Sequence, residues 1–335
     1  MKDSGARGCF KYGCIGCLTL AALVAGLIFL LAVIDLSVDR AEPKPETKEL
    51  SHDLPGRPLP PEMPPTGEAD VATFPEVLPL PEGAAPELPS HLATGKVVLD
   101  IAAAELTIVP GPPGAPIRVE ADYDSASYEL EEKLTSSEDG GWSYKLDFGA
   151  RGGFSRWFFD GGDNAHNRLK LIIPSDYPIE LEGKVGVGQT EADLGGLWLR
   201  EIDLDFGAGE HFVEFREPLR EPMGRFKVKS AVGSVELRSL GNASPESVSV
   251  KHSIGELLVD LTGAWRRDAG VRVDFSIGEC KVWLPESARV ELDRTTMAIG
   301  EVQADEPRGP EELPADAPTL NVKLSGSIGE LRVRR

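Results

Sequence analysis

A glycine-centred phrase recurs through the second half of this chain, and its spacing constrains the fold more than any other feature. SIGE stands at Ser253–Glu256, Ser276–Glu279 and Ser327–Glu330, with variants at Ala298–Glu301 (AIGE) and Ala231–Ser234 (AVGS). Taking the glycine of each copy as position zero gives Gly188, Gly209, Gly233, Gly255, Gly278, Gly300 and Gly329, spaced by 21, 24, 22, 23, 22 and 29 residues. A period in the low twenties with strand-like content predicts a stacked β array.

The apolar residues repeat with the glycines. Positions −7, −5 and −3 are Val271, Val273 and Phe275 in one copy, Val248, Val250 and His252 in another, and Ile202, Leu204 and Phe206 in a third. Positions +2, +4 and +6 are Leu257, Val259 and Leu261, then Cys280, Val282 and Leu284. A period of two buries one face of each segment. The inward parity is odd before the glycine and even after it, which predicts a corner or bulge there. The residue at −1 (Val187, Ala208, Val232, Ile254, Ile277, Ile299, Ile328) is always apolar and is expected to fill the corner from inside. An eighth copy lies upstream, in VVLDIAAAELTIVPG, with Ala104 at the glycine position, so the array begins near Gly95.

The rest of the chain divides around this array. Cys14–Ile34 is twenty-one residues without a charge. As a helix it spans about 30 Å, the thickness of a bilayer core, and no small-residue cleavage site follows it. The expected domains are a short cytoplasmic tail (1–13), one membrane helix (14–36), a Pro/Glu-rich linker (37–94) and a β-repeat domain (95–335). The linker expectation rests on thirteen of the twenty-seven prolines falling between residues 41 and 90, a composition unable to bury a core. Basic residues on the two sides of the apolar span balance, so the cytoplasmic placement of the N-terminus rests on the shortness of the tail.

Charge and cysteine content exclude some functions. A formal net charge of −20 without a basic stripe argues against nucleic acid as a partner. The four cysteines, Cys9, Cys14, Cys17 and Cys280, make no disulfide framework. Cys14-x-x-Cys17 lacks the further ligands a metal would want, and no metal or cofactor is expected.

Three candidate sites remain. Glu210, Glu256, Glu279, Glu301 and Glu330 share position +1, and stacking in register would form a carboxylate ladder able to attract a divalent cation, or simply to fan into water. The stretch Gly149–His166 gathers Arg151, Phe154, Arg156, Trp157, Phe158 and Phe159, either as a lid on the array or as a binding loop. Asp203, Asp205 and Asp274 fall on the outward face and are the carboxylates available to a glycan-cleaving enzyme. No GxSxG, HExxH or phosphate-cradling loop is present. His211 and His252 fall on inward positions, as does Cys280.

The stretch from SIGELLVDLT through VWLPESARVEL to the closing VKLSGSIGELRV resembles the C-terminal domain of LiaF-like cell-wall-active antibiotic response proteins, and is similar to the related toast-rack and DUF4097 adhesin-like families. The likeness covers residues 226–335 best, and LIIPSDYPIELEGKVGVG extends it. It implies an all-β, stacked toast-rack head of about eight two-strand repeats on a bacterial envelope protein, without catalytic residues. The expected function is a non-enzymatic binding or scaffold head in envelope maintenance or stress response, held in the cytoplasmic membrane and facing the periplasm or exterior, with an envelope protein or glycan as partner. Modulation of an envelope-stress sensor kinase and glycan-active catalysis are the alternatives.

Overall fold

The computed structural model describes residues 44–55, 93–137, 140–151, 167–305 and 313–335. The expected tail and membrane helix (1–36) lie outside these ranges. Among the described residues no helix is long and apolar enough to cross a membrane.

The array consists of eight long parallel strands. They are β2 (Gly95–Gly111), β7 (Pro178–Asp193), β8 (Trp198–Glu214), β9 (Arg225–Arg238), β10 (Ser247–Asp260), β11 (Ala269–Trp283), β12 (Arg289–Ala304) and β13 (Thr319–Arg334). They stack in the order β2-β7-β8-β9-β10-β11-β13-β12. The corner residues therefore run Ala104, Gly188, Gly209, Gly233, Gly255, Gly278, Gly329, Gly300, each paired with the next. Each repeat is one bent strand rather than two, and the last two are exchanged: β13 slips between β11 and β12.

Five shorter strands complete the sheet: β1 (Pro45–His52), β3 (Ile117–Asp124), β4 (Tyr128–Ser136), β5 (Trp142–Ala150) and β6 (Arg168–Pro174). At β2 the bent sheet divides into two arms. Residues before the corner pair with β5, which pairs with β4. Residues after it pair with β6, then β3, then β1. Strand β1 corrects the linker boundary, since Pro45–His52 was expected in the spacer. Its alternation, PETKELSH, lets it lie antiparallel along β3.

The core fills the inside of the bend. The −7, −5 and −3 columns and the +2 and +4 columns are buried through the middle of the stack, as in Val248, Val250, Leu257 and Val259 of β10. Returning segments between strands close the third side with Leu194, Phe215, Leu240, Leu261 and Leu284. One of these returns carries the short helix α1 (Leu240–Ala243).

The corner explains the repeated glycine. All seven have φ between 126° and 148°, a region that side chains resist. A Cβ on any of them would also stand 1.7–2.0 Å from the carbonyl oxygen of the corner residue in the preceding rung. Gly270, on the same strand as Gly278, has nothing within 4 Å of its Cβ position. Gly278→Ala is expected to cost at least about 2 kcal/mol, and Gly270→Ala less than about 0.5 kcal/mol. Thermal unfolding followed by circular dichroism checks this; equal midpoints for the two variants would contradict the corner assignment.

Candidate binding surface

Each rung carries one residue that pairs with nothing across the sheet. In every interstrand register of the eight-rung array, pairing passes from −3 to −1 and omits −2. The omitted residues are all small: Ala102, Gly186, Gly207, Ala231, Ser253, Ser276, Ser327 and Ala298. This extra residue is a bulge repeated rung upon rung, so the alternation reverses before −1 is reached.

The expected role of −1 is therefore overturned. Val187, Val232, Ile254, Ile277, Ile328 and Ile299 are 37–66% exposed, and Ala208 is half-buried. They point out of the corner, because the bulge at −2 has already turned the strand over. Register places them side by side from Val187 on β7 to Ile299 on β12. Seven rungs at roughly 4.8 Å make an aliphatic row about 30 Å long. Single exposed apolar residues need no explanation, but a contiguous row is a candidate contact surface.

The +1 column runs beside this row. Glu256, Glu279, Glu330 and Glu301 are direct neighbours, while Ser234 separates Glu210 from them. Cations at +3 answer the stacked charge. Arg332 places Nη1 2.8 Å from Glu279 and Nε 2.6 Å from Glu330, and Lys281 Nζ lies 3.1 Å from Glu279. Gln303 Nε2 donates to Glu301 at 2.9 Å. Among the described residues no group of three or more His, Cys, Asp or Glu is placed to share a metal ion. A hollow of about 70 Å³ opens where Ser234 interrupts the column, lined by Glu236, Glu256, Glu279 and Lys281; it has room for two or three water molecules.

The outward face before the corner is laced with ion pairs across rungs. Lys227 meets Asp203 at 2.5 Å, Arg225 meets Glu201 at 2.6 Å and Lys96 meets Glu182 at 2.7 Å. Asp274 accepts from Arg272 Nε at 2.7 Å and from Ser325 Oγ at 2.5 Å. Partial burial pushes its carboxyl up, but the Arg272 and Ser325 hydrogen bonds outweigh this and hold it below the usual range. A glycoside general acid needs the opposite shift.

The loop candidate falls mostly out of view: Phe154, Arg156, Trp157, Phe158 and Phe159 lie outside the described residues. Arg151 Nε donates to the Tyr128 carbonyl at 3.0 Å, tying the end of β5 to β4.

Polar groups also sit inside the corner. His211 and His252 are 2% and 3% exposed. The His211 ring stacks on Phe206 with centroids 4.0 Å apart, and its Nδ1 lies 3.1 Å from Thr190 Oγ1. Neither ring nitrogen of His252 reaches a partner among the described residues. Burial lowers the pKa of His211 to about 4, with the neighbouring His252 adding to the shift, and burial lowers His252 as well. Cys280, in the same inward column as His211, is a free thiol pushed up to about 12 by burial, which leaves it unreactive.

Residues 89–238 match the family model for the N-terminal domain of toast_rack, DUF2154. In this stretch, which covers the divided end of the array and its first bent rungs, the chain is similar to the toast-rack family. The match falls mostly upstream of residues 226–335, where the motifs resemble LiaF-like proteins best, and overlaps them over residues 226–238. A crystal structure titled "putative cell adhesion protein", from Clostridium sporogenes, is 14% identical, with 88% of this chain and 99% of that chain covered at a TM-score of 0.41. One titled "putative adhesin", from Parabacteroides distasonis, is 13% identical, covering 86% and 98% at 0.27. A "Putative lipid binding protein" from the same species is 11% identical, covering 87% and 97% at 0.22. No curated protein matches the sequence.

The buried histidines set a pH dependence. Their folded-state pKa values lie below the unfolded value, so the unfolded chain binds protons first as pH falls. The stability they permit is complete above about pH 6.5 and declines toward pH 4, by at most about 1.4 kcal/mol per pH unit for each ring. His252→Leu is expected to flatten the decline between pH 6.5 and 4 relative to the unsubstituted chain, measured by urea unfolding across that range. Identical slopes for the two proteins would show that His252 is not held neutral.

Proposed function

We propose that this chain is a single-pass protein of a bacterial envelope. Residues 14–36 anchor it in the cytoplasmic membrane, and the β head stands on the periplasmic or exterior side. The head works without catalysis, by binding an envelope protein or glycan along the aliphatic row at the corner. The exposure of Val232, Ile254, Ile277 and Ile328 in adjacent rungs carries this reading. Neighbouring rungs cover only about half of each of these side chains, and the rest stays in water until something covers it. The similarity of residues 89–238 to the toast-rack family supports a presented surface rather than a reaction centre, and the low carboxyl of Asp274 speaks against glycan cleavage at that face. The kinase-modulating alternative differs only in naming the partner as a sensor kinase of the same membrane.

Two measurements check the reading. In fractionated cells the full chain is expected to remain with membranes after alkaline washing, and a variant lacking residues 14–36 is expected to be released; a full chain found in the soluble fraction would refute the anchor. With a photo-crosslinking amino acid at Ile277, adducts to an envelope protein or polymer are expected in living cells. They should disappear in an Ile254→Ser/Ile328→Ser background whose unfolding midpoint is unchanged within a few degrees. Adducts of equal yield from an exposed position off the row, such as Gly270, would remove the row from the binding role. A sensor kinase in the adduct would decide for the alternative.

A further inference from the structure

Most of the proline-rich stretch does not lie between the proposed anchor and the head. Strand β1 pairs with β3 through all eight of its residues, from Pro45↔Asp124 to His52↔Ile117. Residues 37–43 alone separate the anchor from Lys44, the first described residue. Such a length reaches at most about 30 Å when fully extended. Ten of the thirteen prolines between residues 41 and 90 fall beyond β1, within the thirty-seven residues 56–92. Both ends of that excursion are fixed on the head. Leu54 is buried, and its carbonyl accepts from the Tyr177 hydroxyl at 3.3 Å. Gly95 opens β2 and pairs with Trp142 and Ile179.

The chain enters at the corner. Lys44 N donates to Asp124 Oδ1 at 2.7 Å, Asp124 N donates to Asn167 Oδ1 at 3.3 Å, and Asn167 Nδ2 donates to the Ala103 carbonyl at 3.2 Å. Ala103 stands at position −1 of β2 and pairs with Val187, where the aliphatic row begins. Chain arriving from the membrane therefore meets the head at the near end of the row.

Strand β1 is fastened at its ends and lightly held between them. At one end the Lys44 carbonyl accepts from Ser125 N at 2.9 Å and from Ser125 Oγ at 3.0 Å. At the other, His52 Nε2 lies 2.5 Å from Glu132 Oε1, and Glu132 Oε2 accepts from the buried Tyr144 hydroxyl at 2.8 Å. This contact ties the arm that ends in β1 to the arm that ends in β4. Between the fastenings, Glu46, Lys48 and Leu50 stand opposite the buried Tyr123, Ala121 and Val119 of β3, yet no residue of β1 is itself buried. Inward-pointing charges mark an edge strand that adds little to a core. The family match likewise begins at residue 89, beyond β1.

We propose that β1 is a releasable clip that sets how far the head stands from the membrane, a role that rests on the anchoring of residues 14–36 proposed above. Docked, the clip holds Lys44, and with it the near end of the row, within about 30 Å of the anchor. Released, the first fixed residue becomes Gly95, and residues 37–94 reach up to roughly 180 Å as an extended proline-rich chain. A pull on Lys44 directed away from β3 loads the pairs one at a time, beginning with Pro45↔Asp124. Residues 56–92 carry none of that load until His52 and Leu54 let go, because both their ends are fixed on the head.

The test uses the full chain in phosphatidylcholine vesicles that carry an acceptor-labelled lipid, with Cys9, Cys14 and Cys17 replaced by Ser. A donor dye is attached through an azide-bearing amino acid in place of Lys184, an exposed residue four positions before the first corner glycine. Energy transfer from head to membrane is expected in the parent. Replacing residues 45–52 by Gly/Ser of equal length is expected to lower that transfer at least about twofold, because the reach grows severalfold, while circular dichroism shows the head still folded. Thr47→Cys with Asp122→Cys, an exposed facing pair, is expected to form a disulfide that leaves transfer at the parent's value. This lock decides the question even where the Gly/Ser variant fails to fold. Transfer that is unchanged without β1 overturns the proposal, as does a lock that never forms or one that raises transfer, since β1 would then stand undocked in the parent. A chain that does not float with the vesicles at all refutes the anchor, and the clip with it, by a result distinct from the other three.

Discussion

The fold depends on one close contact repeated along the stack: the corner glycine of each rung lying against the carbonyl oxygen of the corner before it. The contact is asymmetric. A Cβ on Gly278 would meet the oxygen of Gly255, one on Gly329 would meet Gly278, and one on Gly300 would meet Gly329. Every demand points toward β2. The one rung with a side chain at this position, Ala104 of β2, is the one with no bent rung beyond it. There the sheet has divided, and the buried Asn167 spans the gap, its Nδ2 donating to the Ala103 carbonyl at 3.2 Å while its own carbonyl accepts from Glu105 N at 2.8 Å. Register, and with it every column of side chains, follows from this stacking, because a slip of one residue would bring a Cβ into the oxygen.

The bulge at −2 converts that regularity into a surface. Without the extra residue the strand would alternate straight through the corner, and the −1 residues would lie with −3 and −5 in the core. With it, −1 and +1 share the outer face and +2 returns inside. One small residue per rung therefore places two unlike columns next to each other, aliphatic at −1 and largely acidic at +1. The acidic column is tolerable because Arg332 and Lys281 stand in the same face two positions on, bridging Glu279 and Glu330. The aliphatic column has no such partner within the chain.

Much of this was legible in the sequence, and the failures have identifiable causes. The glycine spacing located all seven corners, and period-two patterning identified the inward columns, including His211, His252 and Cys280. The parity change was also legible, but a strand pattern cannot say which of several small or apolar residues is the unpaired one. Assigning the change to the glycine instead of to −2 sent Ile254 and its counterparts inward. The exchange of β12 and β13 left only the longer spacing between Gly300 and Gly329 as a trace, because parallel neighbours of the same repeat offer equivalent faces. Strand β1 was hidden by its setting: PETKELSH alternates, yet it stands at the head of a proline-rich stretch whose average composition outweighed it. The ion pairs that answer the Glu column depend on register between rungs far apart in sequence, and no local spacing reports them.

The acid balance narrows what can lie on the exposed row. An approach that buries Ile254, Ile277 and Ile328 also brings Glu256, Glu279 and Glu330 to within a residue's width of whatever surface is met. Desolvating those carboxylates costs more than their neighbours return unless the incoming surface supplies donors or positive charge. An anionic headgroup layer supplies neither and adds repulsion across a chain with a formal charge of −20. A protein or glycan surface with an apolar groove and hydrogen-bond donors along one side satisfies both columns at once. Under the proposed binding role the repeat asks for more than a hydrophobic contact: it asks for one with a polar margin on a single side, matched in that handedness along the row.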